Sequence, residues 1–167
     1  MTRPRPSVGE QLIEAVPLAR TLGLEVTEVG PGRAVVVLPD RPAHHNHLGG
    51  PHAGAAFTLA ETASGAVVLA AFGRLLDRAV PLAVRAEIAY HKLAMGELVA
   101  TAELGRPAAE VEAELEAGTR PEFPVRVTIR RADGDTTASM TVVWTLRPGA
   151  PPPAAVPAEG GEADAPG

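Results

Sequence analysis

The sequence has no cysteine, one lysine (Lys92), one tyrosine, one tryptophan and three phenylalanines. Without cysteine there is no thiolate nucleophile, no disulfide and no cysteine-held metal. Aromatics are only 3% of the 167 residues, so the core has to be built from Ala, Val and Leu. That composition suits close helix-on-sheet contact. A basic excess is also missing. The net charge of −5 argues against a nucleic-acid binder, which would normally show a basic face. Nor is there an uninterrupted membrane-length segment. Glu61 divides the apolar run 53–76, and the remainder, 62–73, is too short to cross a bilayer. Two arginines in the first six residues are not followed by a signal-type apolar core, since Glu10 and Glu14 interrupt it. The expectation is a cytoplasmic protein with neither nucleic-acid nor membrane partner.

The length fits one domain with a substantial core. Val8 to Leu22 carries apolar residues at helical spacing, limited by Pro17 and closed by Gly23. Gly30-Pro31-Gly32 separates two strand-like runs, 24–29 and 33–38, as in a hairpin. After a loop with three histidines (His44, His45 and His47), Pro51 takes the place of a first helical residue, opening a long apolar helix that ends near Gly73 or Asp77. The period then changes from 3.6 to 2. Leu82, Val84, Ala86, Ile88 and Tyr90 alternate with Ala83, Arg85, Glu87, Ala89 and His91, giving a strand with one wet face. Further strands are expected at 97–104, around Val125–Ile129 and at 137–146, with a short acidic helix at 107–117. From Pro148 the chain is rich in Pro, Ala and Gly and reads as a disordered tail, 148–167. The predicted class is α+β: an antiparallel sheet wrapped around one long buried helix, with the first 22 residues as an N-terminal helical segment.

The stretch from Asn46 to Gly65 carries the chemistry. Glu61 is the one charge in the apolar helix, and an unpaired carboxylate there costs several kcal/mol. It is either a buried acid or base of an active site, or a structural residue paired to an arginine elsewhere. At the front of the helix, the N–H groups of His52, Ala53 and Gly54 lack intrahelical partners and sit at the positive end of the macrodipole. Such donors can hold a carbonyl oxygen and stabilise the oxyanion formed on attack. Asn46 can position water or brace the turn, and Glu61 can act as general base or as nucleophile. His52 and Glu61 are nine residues apart, hence ~13 Å along the helix and about two and a half turns around it. They lie on opposite faces. If both are catalytic, they meet only across a symmetric dimer.

Asn46, His52-Ala53-Gly54 and Leu59-Ala60-Glu61, with Trp144-Thr-Leu-Arg-Pro148 at the end of the last strand, resemble the hot-dog-fold acyl-CoA thioesterases of the phenylacetyl-CoA thioesterase type. The resemblance spans about 23–148 and sets the domain at 23–147. It implies an acyl-CoA substrate, no cofactor or metal, and a homodimer or homotetramer. It also implies catalytic roles for Glu61, Asn46 and His52, with Ala53, Gly54, Ala83 and Val84 in the oxyanion and substrate site. Two departures stand out. The family's His-Gly-Gly is His52-Ala53-Gly54 here, and the serine that helps position water in some members falls on Ala83. The acyl pocket is expected between the long helix and the partner subunit, lined by Ala56, Ala60 and Ala63.

Three other chemistries compete. His44, His45, His47 and His52 suggest zinc, but no metal-spaced motif accompanies them. Ser7, Ser64 and Ser139 lack a nucleophile elbow. His47 and Glu61, fourteen apart, are similar to the pair of hot-dog 3-hydroxyacyl thioester dehydratases, although the surrounding residues differ. A non-catalytic acyl-CoA-binding protein is the remaining alternative.

Overall fold

The computed structural model describes residues 7–149. The expected disordered tail lies, from residue 150 onward, outside the described residues. Helix α1 (Val8–Ala15) opens with a capping box: Ser7 Oγ accepts from the Glu10 N–H at 3.1 Å, and Glu10 accepts from the Ser7 N–H at 2.7 Å. The single helix expected over 8–22 is two. Val16 is extended and α2 (Pro17–Leu22) restarts behind it, because proline lacks an N–H and bars the preceding residue from helical geometry. Gly23, left-handed at φ 62°, ends α2.

Strands β1 (Glu25–Val29) and β2 (Arg33–Leu38) form the expected hairpin. Helix α3 (Ala53–Phe72) follows. Then come β3 (Ala79–Tyr90), β4 (Leu98–Leu104), helix α4 (Ala108–Glu116), β5 (Glu122–Arg131) and β6 (Thr136–Pro148). All pairings are antiparallel in one six-stranded sheet, ordered β1-β2-β4-β5-β6-β3.

The sheet folds around α3. Ala34, Val36 and Leu38 of β2, Ala100 and Ala102 of β4, and the alternate residues Phe123 to Ile129 of β5 turn inward and are buried. Alanines at the contact let the helix lie close, and Phe72 meets Phe123 with ring centroids 5.1 Å apart. Helix α3 with its following turn is long and apolar enough to cross a membrane, but it is mostly buried inside the protein. It is a core helix.

One strand departs from the alternation in its sequence. Ala83 pairs with Trp144 and Arg85 with Val143, leaving Val84 as a bulge. Every residue beyond it changes face. Pro81 and Ala83 therefore lie on the side of Ala86, Ile88 and Tyr90, while Leu82 lies on the other side. Strand β3 is also the last strand of the sheet. From Leu82 to Glu87 it is exposed on both faces.

Candidate active site

The turn before α3 is held by backbone and side-chain bonds. Asn46 N–H donates to Gly50 O at 2.8 Å, Leu48 N–H donates to Asn46 Oδ1 at 2.8 Å, and His52 N–H donates to His44 O at 2.7 Å. Asn46 thus braces the turn. Gly50 is buried, and a side chain there would collide with the carbonyl oxygen of Ala94 in the β3–β4 loop. Pro51 lies before the helix cap instead of at the first helical position, bridged to His45.

His52 is the N-cap of α3. Its Nδ1 accepts from the Gly54 N–H at 2.9 Å, which assigns the ring proton to Nε2. The expectation of three orphan donors is therefore corrected. The His52 and Gly54 N–H groups are engaged, and only the Ala53 N–H has no partner among the described residues. Two loop histidines also have structural contacts: His44 Nδ1 lies 3.3 Å from Pro39 O, and His45 Nε2 lies 2.6 Å from Asp40 Oδ1.

Asn46, Ala53 and Ala56 share a cavity of about 360 Å³ with Tyr90 and the 91–94 segment. Tyr90 Oη donates to Ala53 O at 3.1 Å. Glu61 is not in this cavity. It lines a second one, of about 210 Å³, with Thr62, Gly65, Pro81 and Trp144. Within one chain the carboxylate and the helix N-terminus thus open into different spaces, as their spacing requires.

Glu61 is half-buried, and burial pushes its pKa above the ordinary carboxylate range. Among the described residues no arginine or lysine pairs with it. Its helical turn is fixed from behind. Trp144 Nε1–H donates to Ser64 Oγ at 3.1 Å, and Ser64 Oγ–H donates to the Glu61 carbonyl at 2.7 Å. Thr62 lines the same cavity, and its Oγ1, closed off from solvent, has no hydrogen-bond partner among the described residues. Such a hydroxyl costs about 1–3 kcal/mol until something bonds to it.

Ala83 and Val84 are exposed on β3, the former on the Trp144 side. Ala60 and Ala63 are fully buried in the core and line neither cavity, because their side of α3 packs on the sheet. Of the alanines expected around the acyl group, only Ala56 reaches a cavity. Tyr90 and Trp144 were not singled out by sequence reasoning as site residues. Their signal was rarity: each is the only one of its kind in the chain, and each lines one cavity.

An antiparallel sheet curled around one long helix, with polar groups at the helix front and an acid further along it, defines the hot-dog class. The chain belongs to the family described as a domain of unknown function, DUF4442, whose model matches residues 8–146. No curated protein matches it. Among solved structures it is similar to PA5026 of Pseudomonas aeruginosa, a protein of unknown function, at TM-score 0.77 and 24% identity, covering 89% of this chain and 99% of that one. It is similar to a thioesterase family protein from Silicibacter pomeroyi at TM-score 0.69 and 21% identity, covering 85% and 97%. A mutant of the phenylacetic acid degradation protein PaaI from Thermus thermophilus matches at TM-score 0.62 and 23% identity, covering 79% and 99%.

Proposed function

We propose that this protein hydrolyses acyl-CoA thioesters as a symmetric dimer. In each site, Glu61 of one protomer works with the α3 N-terminus of the other. The observation that carries this reading is an uncompensated, half-buried carboxylate beside an apolar cavity, on a helix whose free N-terminal donor opens elsewhere. The Silicibacter protein named for thioesterase activity shares the fold and supports the same reading.

Attack on a thioester moves charge onto the carbonyl oxygen. The Ala53 N–H at the positive end of α3 is the donor available to receive it, with Gly54 N–H beside it once His52 yields. Glu61, as carboxylate, takes a proton from water as the water adds to the carbonyl, and the tetrahedral centre expels CoA thiolate, which takes up that proton; or Glu61 adds itself, thiolate leaves, and water then hydrolyses the resulting acyl-Glu61 anhydride to the free acid and the carboxylate. An exposed edge strand of this length is a liability for an isolated chain. Leu82, Val84 and Tyr90 of β3 are 39, 45 and 52% exposed, and a second copy laid along β3 covers them.

Complementation tests both parts. Glu61→Gln and Gly54→Val should each be inactive as homodimers. After mixing and refolding, half of randomly paired dimers carry one intact composite site, so about a quarter of wild-type thiol release should return. No recovery despite demonstrated subunit exchange would put each site within one chain. Absence of thiol release from every acyl-CoA by the wild type would end the thioesterase reading.

A further inference from the structure

The second cavity has a wall that the sheet and α3 do not supply. Leu12 and Val16, from α1 and the residue that joins it to α2, line it together with Glu61; Val68, Leu69, Pro81 and Trp144 complete an apolar lining. We propose that this cavity seats the acyl group of the substrate, and that Leu12, Val16 and Gly65 set the largest acyl group accepted. The inference rests on the thioesterase reading for its reaction, but its binding half can be tested alone.

Two observations converge. The first is size. A dry apolar cavity of about 150 Å³ accommodates benzene. At about 210 Å³ this one holds a single ring and a short methylene link. At about 30 Å³ per carbon-sized group, a water's share of liquid volume, it holds a straight chain of about seven carbons. A palmitoyl chain would have to extend beyond it. The second is position. Glu61 lines the same cavity, so an acyl group inside it presents its carbonyl end next to the carboxylate.

Gly65 is the gauge. It lies in the interior of α3, where glycine is a poor helix former, and it faces the cavity. A Cβ added there meets Trp144 Cη2 and Cζ2 at 3.8 Å, ordinary contact, so alanine is sterically allowed. Glycine here leaves room beside the indole for a ligand.

The test is the acyl-length profile of free-thiol release, from butyryl- through hexanoyl- and octanoyl- to palmitoyl-CoA. Wild type should decline steeply beyond octanoyl. Gly65→Ala, which should raise Tm, is expected to lower the octanoyl-to-butyryl ratio of kcat/KM about tenfold, since one methyl group in such a pocket discriminates by that order. Val16→Ala should move the optimum toward decanoyl. If both variants scale all substrates by one factor, the acyl group lies elsewhere and the proposal falls while thioesterase activity stands. If no acyl-CoA releases thiol, Trp144 emission decides. As the only tryptophan, it should respond to octanoate, and less so in Gly65→Ala. An unresponsive Trp144 would overturn the pocket as well.

Discussion

Tyr90 Oη donates to the carbonyl oxygen of Ala53 at 3.1 Å, tying the edge strand β3 to the first turn of α3. The same peptide region carries the free Ala53 N–H. A side chain on the exposed edge thus fixes the helix turn proposed to receive the oxyanion.

Tyr90→Phe should therefore show a split response. The lost bond is worth about 1 kcal/mol at most, because Tyr90 is half exposed, so Tm should fall by only about 2–4 °C. A looser donor should act on kcat more than on KM. A variant with unchanged kcat would show that the tether serves stability alone.

Glu61→Gln should abolish turnover and yet stabilise the fold near neutral pH. Burial raises the Glu61 pKa, so the folded state holds this proton more tightly than the unfolded chain. Stability then declines as pH climbs from the ordinary carboxylate range through the raised value, and the deficit persists above it. Glutamine never ionises and escapes that deficit. Melting curves across pH should diverge upward for the variant at neutral pH and converge in acid; a destabilised variant at neutral pH would contradict the desolvated environment.

The activity profile should mirror this. Only the carboxylate can accept a proton or add to the carbonyl, so kcat/KM should rise with pH through the raised Glu61 pKa and level off above it. A rise centred within the ordinary carboxylate range would show Glu61 to be better hydrated in the working enzyme than in this structure.

His52→Ala removes the N-cap of α3. The expected cost is about 1 kcal/mol, or roughly 3 °C in Tm, with kcat within tenfold of wild type. A thousandfold loss of kcat would give the His52 ring a role in the chemistry that its capping bond to Gly54 does not suggest.

Much of this architecture was legible because it rests on local rules. The apolar length of α3, the glycine-proline hairpin and the shift to alternation each follow from backbone geometry acting over a few residues. The isolation of Glu61 was legible for the same reason: one charge stands in an apolar run. What escaped depends on contacts between distant segments. The bulge at Val84 leaves the written alternation intact while turning Leu82 away from Ile88 and Tyr90. The His52 ring caps the helix only because the turn fixes its approach. Ala60 and Ala63 look like pocket residues until the sheet closes over them. The wall formed by Leu12 and Val16 joins residues some fifty positions before Glu61, and no periodicity records that pairing.

Gly50 gives the Asn46 turn a further property. With no side chain, its backbone lies against the carbonyl of Ala94, so the turn and the β3–β4 loop interlock on one side of the larger cavity. Segments that must be ordered by a ligand subtract that ordering from its affinity. Here part of that ordering comes with the packing of Gly50 against Ala94. Binding at this end of the site should then carry a small entropic penalty and fast association, with selectivity arising from shape that already exists instead of from closure around the guest.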